Sequence, residues 1–145
     1  MNTAILELAP EHARGAFEVE RGSLSTAFSE EQINECARGE STVKYLVLCE
    51  DEAVRGICSF TVAAGECEIV NLAVAKGSRR KGYGGALLCA AVSAAREAGA
   101  EKVFLEVAEG NSAAASLYVK HGFAPVGRRK NFYRGEDAVI MQKTL

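Results

Sequence analysis

No pair of cysteines in this chain has the spacing of a dithiol motif, and Cys36, Cys49, Cys58, Cys67 and Cys89 follow no zinc-ligand pattern. A metal is therefore not expected. The odd cysteine count and the apolar neighbours predict reduced, buried thiols in a cytosolic protein. Long apolar runs are missing as well. The longest weakly polar stretch, Ala86 to Ala95, is too short to cross a bilayer, so no membrane partner is expected. The N-terminus has no basic stretch, and Glu7 and Glu11 interrupt any apolar run, so no signal peptide is read there. A cytoplasmic location follows. Charge of one sign is also missing: 17 basic against 19 acidic residues leave a net charge of -2. That excludes a general nucleic-acid binder, whose affinity rests on neutralising phosphates. There is no repeat, linker or low-complexity segment, and 145 residues suit one domain, 1–145.

What is present reads as alternating elements. Ile5 to Leu8 is a short strand, and Pro10 suits the first turn of a helix that reaches about Arg21. Ser29 and Gln32 form a capping box for a helix over Glu30 to Arg38. Val43 to Cys49, Val54 to Val62 and Cys67 to Ala75 read as a three-strand meander, with a turn at Ala64 and Gly65. A helix from Gly82 to about Ala98 stops at Gly99, and Val103 to Val107 is a buried strand. Asn111 caps a helix from Ser112 to about His121, with Gly122 as its stop. Two strands, Phe123 to Tyr133 and Ala138 to Thr144, close the chain around Gly135. His12 on a helix surface and His121 at a helix end read as surface residues, and Arg128 to Lys130 as an exposed charged strand end. The class is α/β with a mixed, mostly antiparallel central sheet flanked by helices.

The glycine-rich turn after the third meander strand is the most specific signal. Arg79, Arg80 and Lys81 lead into Gly82-Tyr83-Gly84-Gly85 at the mouth of the alanine-rich helix. Glycines permit close backbone approach, and a helix N-terminus offers unpaired N–H groups and a positive dipole end, which together seat a diphosphate. A Walker loop is excluded because Tyr83 and Gly84 stand where Lys and Ser or Thr are needed. A dinucleotide fingerprint lacks its third glycine, since Leu87 occupies that place. The remaining pattern, Arg/Gln-x-x-Gly-x-Gly/Ala, is matched by Arg79, Gly82 and Gly84.

That match resembles the acetyl-coenzyme A loop of the GNAT acetyltransferase superfamily, and the element order over nearly the whole chain is similar to the GNAT fold. Leu105-Glu106-Val107, Asn111, Leu117-Tyr118 and Gly122-Phe123 resemble, more narrowly, the bacterial ribosomal-protein alanine N-acetyltransferases, as does the tail, Arg128-Arg129-Lys130-Asn131-Phe132-Tyr133 and Glu136-Asp137-Ala138. Ala27-Phe28-Ser29-Glu30 is similar to the substrate-side loop of that subfamily, which usually carries a Trp before the serine; this chain has no Trp. The resemblance implies acetyl-coenzyme A as cosubstrate. It implies a coenzyme site made by Leu72, Ala73 and Val74, by Arg79, Arg80, Lys81, Gly82, Tyr83, Gly84 and Gly85, and by Asn111. In the family the Leu72–Val74 part of the central strand splays from its neighbour and offers backbone groups to the pantetheine arm. Phe28, Ser29, Asn131 and Tyr133 are implied to line the acceptor site. Glu106 is implied as the base and Tyr118 as the acid that meets the departing sulfur. Asn111 and Tyr118, seven residues apart, stand on nearly one helix face about 10 Å apart.

The expected reaction is acetyl transfer to the N-terminal α-amine of a protein, an alanine-first ribosomal protein being the expected partner. An α-amine with pKa about 8 is neutral in roughly a tenth of molecules at pH 7, whereas a lysine at about 10.4 is neutral about once in a few thousand. A terminal amine therefore needs only modest help from one carboxylate, acting directly or through a water. Transfer to a small-molecule amine or a lysine, and a non-catalytic module that binds acyl-coenzyme A, stay open as alternatives. The oligomeric state is not specified at this level.

Overall fold

Seven strands and four α-helices form along residues 2–133 and 135–145, which the computed structural model describes. The strands are β1 (Thr3–Glu7), β2 (Lys44–Glu50), β3 (Ala53–Ala63), β4 (Glu66–Val74), β5 (Lys102–Ala108), β6 (Ala124–Tyr133) and β7 (Glu136–Thr144). The helices are α1 (Ala13–Arg21), α2 (Glu30–Ala37), α3 (Tyr83–Glu97) and α4 (Ser112–Lys120). One sheet has the order β1-β2-β3-β4-β5-β7-β6. β4 and β5 run parallel, with Glu66 to Glu68 opposite Lys102 to Phe104, while β1–β2, β2–β3, β5–β7 and β6–β7 are antiparallel. The expected mixed, mostly antiparallel sheet is therefore present. Among the described residues no helix is long and apolar enough to cross a membrane.

The chain divides into two compact units, one of Met1–Thr61 with Val70–Ser93, the other of Val62–Ile69 with Ala94–Leu145. In the first, α1 and α2 cover the meander through Ala16, Val19 and Ile33, which pack with Tyr45, Val47 and Ile57. The start of α3 lies close against β3. A Cβ built on Gly56 would stand 2.8 Å from Leu87 Cδ1 and 3.3 Å from the Ala73 carbonyl. Leu87 is fully buried, so it has little room to withdraw from an added methyl.

In the second unit, β5 obeys the two-residue pleat. Val103, Leu105 and Val107 are buried, and Phe104, Glu106 and Ala108 between them are half-buried on the other face. β6 is the outer strand beside β7 and is exposed along its length up to Tyr133. Its register shifts between Pro125 and Gly127 and again between Arg129 and Tyr133, where Asn131 has φ 54°.

Most expected elements are found within a residue or two. Ala64 and Gly65 have φ 53° and 78°, the geometry of a two-residue hairpin, and Gly99 and Gly122 end their helices at φ 93° and 91°. Two expectations need correction. The first helix opens as a 3-10 turn over Pro10–His12, in which His12 Nδ1 accepts from the Ala9 N–H at 3.0 Å, so this histidine has a local structural job. The cysteines are not uniformly buried. Cys49, Cys58 and Cys67 are, with the Cys67 thiol pushed up to about 11 by burial, but Cys36 is half-buried and Cys89 is exposed. On α3, Cys89 shares an exposed face with Ser93, one turn further on.

Gly56→Ala is expected to lower stability by about 1–3 kcal/mol through overpacking against Leu87, read as a lower urea midpoint with an unchanged m-value.

Candidate active site

The glycine-rich turn of the first unit is shaped by its backbone. Ser78 N–H donates to the Ala75 carbonyl at 2.9 Å, Arg80 and Gly82 take φ 66° and 79°, and Ala86 N–H donates to the Gly82 carbonyl at 3.1 Å. Gly82 is thus the cap of α3, and the amides of Tyr83, Gly84 and Gly85 are the first-turn donors that a helix leaves without internal partners. The left-handed conformation at 82 favours glycine, and a Cβ there would meet nothing within 4 Å, so the space above the turn is open. These donors fit a diphosphate. Arg79 ties the turn to its surroundings, donating from Nε to the Val74 carbonyl at 3.2 Å and from Nη2 to Ser23 Oγ at 3.4 Å. Leu72, Ala73 and Val74 are the last residues of β4.

Two residues of the turn have a partner that the sequence did not disclose. Lys81 Nζ donates to Glu50 Oε2 at 3.1 Å, and the Tyr83 hydroxyl donates to the same oxygen. These two hydrogen bonds hold the Glu50 carboxyl below the usual range and push the Tyr83 phenol up. Side chains of Lys81 and Tyr83 therefore anchor the turn to the end of β2, while their backbone amides remain part of it.

A second carboxylate organises the loop between α1 and α2. Glu20 is 0% exposed. It accepts from Phe28 N–H at 2.8 Å, from Asn71 Nδ2 at 2.9 Å and from the Tyr45 hydroxyl. Asn71 also donates to the Thr26 carbonyl at 3.2 Å and accepts from Thr26 Oγ1 at 2.9 Å. Phe28 is thereby fixed with its ring 6.5 Å from that of Tyr45. Ser29 works as the cap of α2, its Oγ accepting from Gln32 N–H at 3.1 Å and its N–H donating to Gln32 Oε1 at 2.8 Å. Burial pushes the Glu20 carboxyl above the ordinary range, against the opposing pull of its three donors.

The second unit carries the expected acid–base pair. Glu106 Oε1 accepts from Arg129 Nη1 at 2.6 Å, and Glu106 Oε2 is buried with no hydrogen-bond partner among the described residues. Tyr118 is buried on α4, edge-on to Phe123 at 5.9 Å. Asn111 caps α4, its Oδ1 accepting from Ala114 N–H at 3.2 Å. Asn131 is exposed and donates its N–H to Asp137 Oδ1 at 3.1 Å. Half-buried Tyr133 points its hydroxyl at the Glu106 carbonyl across 3.5 Å, and burial, then Glu106, raises its phenol. Arg128 and Arg129 are exposed on β6, as expected, and both also take part in ion pairs. Arg128 pairs with Glu109 at 2.6 Å and Asp137 at 3.6 Å, and Arg129 with Glu106. His121 lies at the end of α4, with Nδ1 2.9 Å from the Leu117 carbonyl.

Comparison with known proteins decides the family. The model of the acetyltransferase (GNAT) family matches residues 5–123. The chain belongs to the GNAT family. A putative [ribosomal protein bS18]-alanine N-acetyltransferase of Bacillus subtilis is 30% identical over 144 residues, covering 98% of this chain and 95% of the relative. The crystal structure of the ribosomal-protein-S18-alanine N-acetyltransferase from Escherichia coli superposes with TM-score 0.88 at 25% identity, over 99% of this chain and 94% of that one. Ard1 from Thermoplasma volcanium superposes with TM-score 0.89 at 27% identity, over 100% and 99% of the two chains. This GNAT chain is thus an N-acetyltransferase with acetyl-coenzyme A as cosubstrate. Glu20, Glu50 and Arg129 were absent from the sequence reading of the site. Each acts on residues 8 to 51 positions away, and no local pattern announces such pairs.

The raised Glu20 carboxyl has a stability consequence. A native pKa above the unfolded one adds stability in full below the ordinary value of 4.5, and this is lost as pH rises through the native value. Glu20→Gln carries no such titration. Its urea midpoint is expected to gain on that of the parent protein as pH is raised from 4 to 7.

Proposed function

We propose that this enzyme, acting as one transferase domain over residues 1–145, acetylates the N-terminal α-amine of an alanine-first ribosomal protein in the cytoplasm. Several relatives carry that activity in their names, and the one from Bacillus subtilis is aligned over 95% of its length. The observation that supports the chemistry is the buried Oε2 of Glu106, which has no hydrogen-bond partner among the described residues. A buried carboxylate oxygen normally has a donor. One left without a donor is a ready acceptor for an ammonium proton or for a water that relays it.

Arg79, Arg80 and Lys81, the amides of Gly82 to Gly85, the backbone of Leu72 to Val74, and Asn111 are the residues assigned to hold the coenzyme. When bound, the coenzyme supplies an acetyl thioester as the electrophile. Glu106 takes the proton from the incoming amine, which makes the nitrogen lone pair available. Tyr118 donates a hydrogen bond or a proton toward the sulfur that departs. An ordinary phenol near 10 opposite a thiol near 8.5 makes complete proton transfer uphill by roughly 2 kcal/mol, so a hydrogen bond to the developing thiolate serves the role as well as protonation does. Phe28, Ser29, Asn131 and Tyr133 are assigned to the acceptor.

The test is thiol release from acetyl-coenzyme A with an alanine-first ribosomal peptide, the product located by mass spectrometry. Acetyl on the α-nitrogen is expected. Acetyl on lysine alone, or none, overturns the acceptor assignment. Glu106→Gln is expected to lower kcat by about 100-fold or more, and Tyr118→Phe to lower kcat with little change in KM for the coenzyme. Unaltered kcat in either variant removes that residue from its role.

A further inference from the structure

We propose that Arg129 is a positioning residue for the transferase reaction: its guanidinium holds one oxygen of Glu106 so that the other alone faces the acceptor amine. The inference rests on the reading of Glu106 as the base. It starts from the asymmetry of that carboxylate, with Oε1 bound to Arg129 Nη1 at 2.6 Å and Oε2 buried without a partner among the described residues. A carboxylate free to rotate would exchange its two oxygens. A charge-assisted hydrogen bond to one of them fixes the plane of the group.

The strand register accounts for how Arg129 gets there. Arg129 lies opposite Ala138, which lies opposite Ala108, so all three share one face of the sheet. Glu106, two residues before Ala108, is on that face too, and its own row continues through Ile140 to Gly127. Ala138 is the only side chain between Arg129 and β5 in its row. Its single methyl leaves the long arginine room to cross β7 and reach Glu106. Phe132 supports the crossing from below, its ring centroid 4.6 Å from the guanidinium carbon, and packs edge-on to Tyr133 at 4.8 Å. The Arg129 side chain is 56% exposed and that of Glu106 25%. A pair so open adds little to stability. Its effect is on the direction of the carboxylate rather than on the fold, and misplacement of a reacting group is where rate is lost.

The experiment is a double-mutant cycle on the full chain, with kcat and both KM values measured for Arg129→Ala, Glu106→Gln and the combined variant on an alanine-first peptide. Arg129→Ala is expected to lower kcat by about 10- to 100-fold with KM for acetyl-coenzyme A unchanged. It is expected to cause no further loss in the Glu106→Gln background. Arg129→Lys should recover part of the loss, and guanidinium ion added to Arg129→Ala should recover more than sodium at equal ionic strength. An Arg129→Ala enzyme with full kcat, while Glu106→Gln is impaired, overturns the inference and leaves the base assignment standing. An equal loss in both backgrounds, or a rise in peptide KM alone, also overturns it by placing Arg129 on the acceptor. If Glu106→Gln keeps full kcat, the base assignment fails and the inference with it. Circular dichroism and a thermal melt report folding of each variant. Should Arg129→Ala not fold, Arg129→Met retains the stem of the side chain and serves in the same cycle.

Discussion

The pleat of β5 is the constraint on which the chemistry proposed for this enzyme depends. Burying Val103, Leu105 and Val107 on one face forces Glu106 onto the other, and a shift of one residue would send the carboxylate into the core. The antiparallel ladder with β7 locks that choice along the whole strand, from Lys102 opposite Thr144 to Ala108 opposite Ala138. Core packing and the placement of the proposed base are therefore the same decision. It also determines which residues of β6 share the face of Glu106, and hence that Arg129 does.

Three carboxylates in this protein illustrate how surroundings assign different work to one functional group. Glu20 is sealed in the first unit with Phe28, Tyr45 and Asn71 as donors and serves as the hub of a loop. Glu50 sits with Lys81, Tyr83 and Arg55 and stays ionised, a clamp on the glycine-rich turn. Glu106 has one oxygen held and one without a partner among the described residues, the arrangement suited to accepting a proton. Desolvation dominates the first, hydrogen bonds from a cation and a phenol the second. In the third, the number of donors supplied is the decisive feature.

Much of the fold was legible because its signals are local. Asn111 as a cap, Ser29 with Gln32 as a capping box, and Ala64-Gly65 as a hairpin turn each depend on residues within four positions. The glycine-rich turn at the start of α3 was legible for the same reason, since its glycines and the helix that follows are marked in adjacent residues. The first helix was read too long because Pro10 is equally at home in a 3-10 turn and at the start of an α-helix. Cys89 differs from the expectation because its apolar sequence neighbours, Leu88 and Ala90, say less about burial than its helix face, which it shares with exposed Ser93.

By itself the sequence determined the order of elements, the glycine-rich turn at the mouth of α3 and the residue types available for acid–base work, since these follow from propensity, capping and two-residue or 3.6-residue periods. Only the tertiary structure decided that Glu20 would gather residues 28, 45 and 71, that Lys81 and Tyr83 would close on Glu50, and that Arg129 would cross Ala138 to Glu106. Those pairings arise from strand register and burial across long stretches of chain. A hydrogen bond between distant residues leaves no periodicity to read, because either partner alone is indistinguishable from a solvated side chain.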